Sequence, residues 1–234
     1  YEHTHVFTND FAALLAAAPW PEGEEHPLFK SSGVSGTCRV LCFSPRHDLS
    51  LAEMAVEEIT RVVELWSEQV AELGRDYTWV QIFENRGEVM GCSNSHPHGQ
   101  VWAQDVLPDA AVREDENQRA YQRQRDRPLL LDYAEEELAR GERLIAAEEH
   151  WLAIVPYWAL WPFETLVLPK RQVQRLDALA VQERASLARL LKRLKLAIEQ
   201  ACRHIVIHPR FKPMGDKGLL SIQMDYAHVL PPAN

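Results

Sequence analysis

Two stretches of this sequence, VLCFSPRHDLSLAEM (40–54) and TLVLPKRQVQRLDAL (165–179), follow one plan. Each is a β-branched or leucine-rich run, then a proline, basic residues, a short turn and the start of a helix-spaced pattern, with Pro45 and Pro169 in matching places. Proline lacks the N–H that a central strand must donate, so each proline marks a strand end, and the helix that follows has to fold back to bury its apolar side. The match reads as an internal duplication, although two such stretches also arise by chance in mixed sheet-and-helix chains. It predicts two similar sheet-plus-helix units, and 234 residues is room enough for two.

The remaining pattern fits that plan. His5 to Phe7 and TCRVLCFSP read as strands separated by a connection rich in Pro, Glu and Gly from Pro19 to Pro27. Ser50 and Glu53 form a capping-box pattern, and Leu51, Ala55, Ile59, Val62, Trp66, Val70 and Leu73 recur every three or four residues until Gly74. That spacing predicts an amphipathic helix over 51–73. TWVQIF and HGQVWAQDV read as strands on either side of an ENRG turn. Between Asp109 and about Arg143 the chain is polar and charged, and it reads as linker helices. HWLAIVPYW and PFETLVLP are strand-like, and Leu176 to Ile198 has helical leucine spacing. The expected fold class is therefore α+β, with antiparallel sheets and packed helices in two domains, 1–108 and 109–234.

Composition removes several function classes. No apolar run reaches the roughly 18 residues that cross a bilayer, and the apolar patch FAALLAAAPW follows Asp10 and not a basic stretch, which argues against a signal peptide. Lys plus Arg total 25 against 34 Asp plus Glu, so the net charge of −9 disfavours a nucleic-acid partner. Cys38, Cys42, Cys92 and Cys202 contain no C-x-x-C and make no disulfide scaffold, and reduced thiols in a cytoplasm are the expectation. The first residue is Tyr1 and not Met, which is read as a chain cut from something longer.

The segment GCSNSHPHGQVW (91–102) carries the chemistry. In a strand, alternate side chains share a face, so His96, His98 and Gln100 are expected to point the same way. Gly91, Pro97 and Gly99 keep the surroundings thin enough for a phosphate to approach the backbone, and Ser93 adds a neutral donor. A neutral imidazole has a free lone pair that can attack phosphorus, and a nearby glutamine amide can donate to the oxygens that gain charge. The alternative is a polar strand face without a function.

GCSNSHPHGQVW resembles the active-site signature of the galactose-1-phosphate uridylyltransferase family, a branch of the histidine-triad superfamily with glutamine in place of the third histidine. VFTNDFAAL, RVLCFSPRH, WVQIFENRG, LPDAAVREDE and EHWLAIVPYWALWPFETLVLPK extend the resemblance from Tyr1 to about Ala201. It implies two half-barrel-like domains of the histidine-triad type, a homodimer, and a cytoplasmic enzyme of galactose metabolism. The implied reaction is ping-pong: UDP-glucose gives its uridylyl group to a histidine, and galactose 1-phosphate then accepts it. By motif position His98 is the implied nucleophile and Gln100 the donor to the uridylylated phosphate. Asn9, Asp10, Asn85, Gly91, Cys92 and Ser93 are the implied uridine contacts.

The resemblance also implies metals. His47 and His96 match two ligands of a structural zinc whose other two ligands are the cysteines of an upstream C-x-x-C that this chain lacks. Glu114 matches a second metal position, such as iron, normally completed by three histidines nearer the C-terminus. Beyond Ala201 the family's Phe-Pro-Tyr-Ser-Met-Gly-Trp-His segment is absent, and His204, His208 and His228 lack the spacing of those ligands. Ser95 stands where the family usually carries proline. His3, His5 and His150 read as ordinary histidines, and Trp151, Tyr157, Trp158, Trp161 and Phe163 as core or dimer interface more readily than as a sugar platform. Two alternatives stay open: another histidine-triad nucleotidyl transfer or hydrolysis, which Gln100 disfavours because it cannot protonate a leaving group, and a catalytically incomplete fragment that binds a partner chain.

Overall fold

Strand alternation and helix spacing are realised in a computed structural model that describes residues 1–17, 26–29, 31–86, 92, 94–161, 163–201, 205–207 and 222–224, with backbone alone from 199 onward. The strands are β1 (His5–Thr8), β2 (Gly36–Cys42), β3 (Trp79–Arg86), β4 (His98–Gln104), β5 (Leu144–Ala147), β6 (Trp151–Ile154), β7 (Thr165–Pro169), β8 (Ile205–Ile207) and β9 (Ile222–Met224). The helices are α1 (Val56–Leu73), α2 (Asp109–Arg125), α3 (Leu129–Arg140) and α4 (Val181–Ala201). One sheet has the order β1-β2-β4-β3-β8 and the other β5-β6-β7-β9, and every described strand pair is antiparallel. This is the α+β fold class that the pattern predicts.

The two sheets are buried differently, and their sequences show why. In β4, Gly99, Val101 and Ala103 are buried while His98, Gln100, Trp102 and Gln104 are half-buried. One face of that sheet therefore meets the core and the other remains accessible. In β6 and β7 every residue is buried. Trp151, Ala153 and Val167 face the main core, and Leu152, Ile154, Leu166 and Leu168 meet Leu130 and Ala134 of α3. Helices on both faces account for the uninterrupted apolar runs.

The main core is continuous across both halves of the chain. Leu41, Ile82 and Val101 of the first sheet join Ile59, Val62, Val63 and Trp66 of α1, and these join Leu187, Leu190, Leu191 and Leu194 of α4 and Trp151 of the second sheet. Each such side chain is worth roughly 1.5–3 kcal/mol on full burial. Polar ties reinforce the junction: Arg175 Nη2 donates to the Val70 carbonyl (3.1 Å), and Lys192 Nζ to the Met54 carbonyl (2.5 Å).

The duplicated plan recurs in three dimensions. After β2 and after β7 the chain makes a short turn, 51–54 in the first case and a single 3-10 turn over Leu176–Ala178 in the second, before the long helix. Both helices begin alike: the Ala55 and Ala180 N–H groups donate to the carboxylates three residues on, Glu58 (2.8 Å) and Glu183 (2.7 Å). The helix predicted from residue 51 in fact starts at Val56. Ser50 and Glu53 do bond reciprocally (2.7 and 3.0 Å), but the turn they close ends at Ala55, whose ψ of 154° is extended. Leu51, Ala52 and Met54 are buried from that turn.

The aromatic cluster of the second half divides. Trp151 is fully buried and its Nε1 donates to the Glu183 carbonyl (2.9 Å). Tyr157, Trp158, Trp161 and Phe163 are exposed on a loop braced from inside by Glu164, whose Oε2 accepts from the Leu160 N–H (2.8 Å). Phe163 has φ +63°, a left-handed conformation that a bulky residue adopts only when its surroundings impose it.

Glu183 joins several of these devices. Both carboxylate oxygens accept from Arg171, from Nη2 at 2.6 Å and from Nε, while Oε2 also accepts from Ala180. The Arg171 guanidinium is the main reason its carboxyl sits below the usual range. A lowered folded-state pKa contributes stability above the unfolded carboxylate value, near 4.3, and that contribution is lost as pH falls through the folded value. Glu183→Gln is expected to cost about 1–2 kcal/mol at neutral pH, discounted for the half-exposed Arg171. Thermal melts of the variant should also fall less steeply than those of the parent between about pH 5 and pH 3.

Candidate functional site

Register decides which side chains share the accessible face of the first sheet. Cys42 lies across from His98 and Val40 across from Gln100 on β2, and Phe83 lies across from Gln100 on β3. Directly opposed residues point the same way, so His98 and Gln100 share that face with Cys42, Phe83 and, by alternation, Asn85. Continued by two residues, the β3–β4 register would set Asn85 across from His98. Asn9 follows β1, and its N–H donates to the Cys38 carbonyl (2.9 Å), which places it on the next strand but one from β4.

His96 does not belong to this set. The strand begins at His98, because the Asn94 side chain takes the His96 N–H (3.0 Å) and Pro97 has none to give. The His96 ring turns instead to His47, with the two Nδ1 atoms 2.9 Å apart. Its Nε2 lies 2.8 Å from the Tyr1 hydroxyl, and that hydroxyl donates to the Ser44 carbonyl (2.6 Å). A phenol has one proton and spends it on Ser44, so Tyr1 accepts from His96 Nε2–H and leaves His96 Nδ1 with a lone pair toward His47. Burial pulls the His96 pKa below the ordinary imidazole value, helped by His47 and His98. Burial likewise pushes the Tyr1 phenol up to about 12.

The same accounting fixes the state of His98. Its Nδ1 is 2.6 Å from the His96 carbonyl oxygen, which can only accept, so Nδ1 carries a proton and the lone pair of the neutral ring is on Nε2. The half-buried ring is thus held as a nucleophile by its own backbone two residues earlier. The side chain of Gln100, also half-buried, makes no hydrogen bond among the described residues, so its amide is available to a ligand. Gly99 has a different role from the one its sequence position implies. A Cβ there would lie 2.8 Å from Phe43 Cζ and 2.9 Å from the Phe83 carbonyl, so the missing side chain admits Phe43 on the core side and does not open the accessible face.

The other expected residues are placed less decisively. Asp10 is exposed, Asn9 Oδ1 accepts from the Phe11 N–H (3.0 Å), and Cys92 Sγ lies 3.2 Å from the Asn94 carbonyl. Gly91 and Ser93 fall outside the described residues, as do Cys202, His204, His208 and His228. Tyr1 and Asn94 hold His96 in place, and neither had any spacing signal in the sequence.

The metal expectations can be set against the donors present. Two imidazole ligands on one tetrahedral zinc, each at about 2.0–2.1 Å, stand roughly 3.4 Å apart, near the His47–His96 separation of 2.9 Å. The pair has the shape of half a site. Among the described residues no group of three or more His, Cys, Asp or Glu could hold a metal, so these side chains by themselves do not fit a four-coordinate zinc. Glu114 lies on α2, outside any such group.

Comparison with known proteins extends the picture. The family model "Galactose-1-phosphate uridyl transferase, N-terminal domain" matches residues 1–108, and the model of the C-terminal domain matches 114–201. The chain is 50% identical over 194 residues to the galactose-1-phosphate uridylyltransferase of Rattus norvegicus, which covers 83% of this chain and 51% of that protein. It is 51% identical over 194 residues to that of Haemophilus influenzae, covering 83% and 56%. The chain therefore spans about half the length of the curated relatives it matches. A solved structure described as "Structure of uridylyltransferase" shares the fold at a TM-score of 0.89 and 22% identity, covering 97% of this chain and 73% of its own. A continuous match to both family domains and half-identity over 194 residues leave one assignment: the chain belongs to the galactose-1-phosphate uridylyltransferase family.

Proposed function

We propose that this chain carries the nucleotidyl-transfer centre of a UDP-glucose–hexose-1-phosphate uridylyltransferase, acting in galactose metabolism. The observation that carries the proposal is the His98 tautomer, with Nδ1–H bound to the His96 carbonyl at 2.6 Å and Nε2 free on the same face as Gln100. In the first half-reaction the Nε2 lone pair attacks the α-phosphorus of UDP-glucose. A P–N bond forms, and the P–O bond to glucose 1-phosphate breaks. In the second, a phosphate oxygen of galactose 1-phosphate attacks the same phosphorus, the P–N bond breaks, and UDP-galactose leaves. The Gln100 amide donates to the non-bridging oxygens as they gain charge. Asn85, on the same face, is suited to the uracil edge or the ribose, with Asn9, Asp10 and Cys92 as further contacts.

The proposal extends to what surrounds the centre. His47 and His96 would supply two ligands of a structural zinc, a site left incomplete among the described residues, and no catalytic step is assigned to it. Residues 1–108 are read as the domain bearing the histidine motif and 109–234 as a second histidine-triad-like domain. A cytoplasmic homodimer completes the reading. No described helix is long and apolar enough to cross a membrane.

Incubation with UDP-glucose followed by intact-mass measurement is expected to show an acid-labile gain of one uridylyl group, absent from His98→Ala. A parent chain that stays unmodified, or is modified only by ATP, would overturn the proposal. Gln100→Arg is expected to slow turnover by about 10-fold or more, because a fixed positive charge holds the uridylylated state too tightly or displaces the phosphate. Unchanged turnover would remove the role given to Gln100. Zinc content of the purified 234-residue chain is expected below one per chain, and lower still in His47→Ala; a full equivalent retained by that variant would exclude His47 as a ligand.

A further inference from the structure

The one ion pair whose two members are both buried among the described residues lies directly behind the accessible face. Lys195 of α4 is 0% exposed and its Nζ is 2.5 Å from Glu84 Oε2 of β3, across 111 positions of sequence. Alternation along β3 sends Glu84 to the core side and its neighbours Phe83 and Asn85 to the side of His98 and Gln100. The attachment therefore sits at the end of β3 nearest His98, where the ladder with β4 stops at Phe83 and Gln100 and where β3 takes β8 on its other edge.

Stability alone is a poor account of such a pair. Removing a carboxylate and an ammonium from water costs about as much as their attraction returns, so apolar replacements of like size are usually as stable. What the pair does provide is position. An apolar contact singles out no partner atom, whereas a short ionic contact ties one point of the helix to one residue of the strand. Gly99, beside this end of β3, leaves no slack, since Phe43 and the Phe83 carbonyl already fill the space of a Cβ.

We propose that Lys195 is a positioning residue. From the second half of the chain it pins Glu84, so that Asn85 and Phe83 are held in register with His98 and Gln100. Its consequence for nucleotide binding rests on the reading of that face as the uridylyl-transfer centre; the pin itself does not. Three variants of the 234-residue chain separate the two: Lys195→Arg, Lys195→Met, and Glu84→Leu combined with Lys195→Met.

The double variant is expected to melt close to the parent, because no buried charge is left alone, whereas Lys195→Met melts lower. Amide hydrogen exchange in the double variant should quicken at Phe83 and Gln100 and stay unchanged at Trp79 and Gln104, at the far end of the same ladder. UDP, measured by titration calorimetry, should bind roughly 2- to 30-fold more weakly, with Lys195→Arg between the double variant and the parent. A double variant that melts like the parent and keeps its exchange rates at Phe83 and Gln100 would overturn the pin. If the parent itself binds no UDP and forms no adduct, the nucleotide reading fails, and the exchange comparison still decides the role of Lys195.

Discussion

Packing of α1 against α4 is the constraint on which the rest depends. Neither helix could remain folded with its leucine, isoleucine and tryptophan side chains in water, and each sheet offers only one surface to cover them. Set back to back between the sheets, the two helices bury one another and both inner sheet faces in a single cluster. The position of β4 follows from that arrangement. Its Val101 and Ala103 are drawn in, Gly99 lets Phe43 close over it, and the opposite side chains, His98 and Gln100, are left facing outward.

A strand alone would not make His98 useful, because an imidazole on an open surface interconverts between two protonation isomers and several rotamers. The turn before β4 removes that freedom. Asn94 captures the His96 N–H, Pro97 withholds a donor, and the His96 carbonyl is left pointing at Nδ1 of His98. His96 is itself anchored through Tyr1 and His47. A chain of ordinary hydrogen bonds therefore runs from the surface histidine at 47 to the backbone that orients the ring at 98.

Much of this was legible in the sequence, for reasons that can be stated residue by residue. Period-two alternation in HGQVWAQ gave the shared face of His98 and Gln100, and leucine spacing gave both long helices. Spacing puts the start of α1 too early because Ser50 and Glu53 satisfy the same capping pattern in an isolated turn as in a helix, and nothing local says that Ala55 is extended. Period-two spacing puts His96 on the same face as His98, because periodicity does not register a side-chain capture of one N–H. The Lys195–Glu84 pair was invisible, since its partners are 111 positions apart and a lysine amid Arg193, Lys192 and Glu199 reads as solvated surface. The strand β5 has no sequence signal, because LIAA is too short and too weakly branched to stand out.

The bond from His98 Nδ1 to the main-chain carbonyl also bears on the energetics of an adduct. Were Nε2 joined to phosphorus with Nδ1 keeping its proton, the ring would be an imidazolium, and the carbonyl dipole at 2.6 Å would stabilise that cation. A neutral phosphoramidate would be a sluggish donor, because its departure would produce an imidazolide anion. Held protonated, such a linkage would leave as a neutral imidazole, so an adduct at this position would keep much of the group-transfer potential of the phosphate ester or anhydride that formed it.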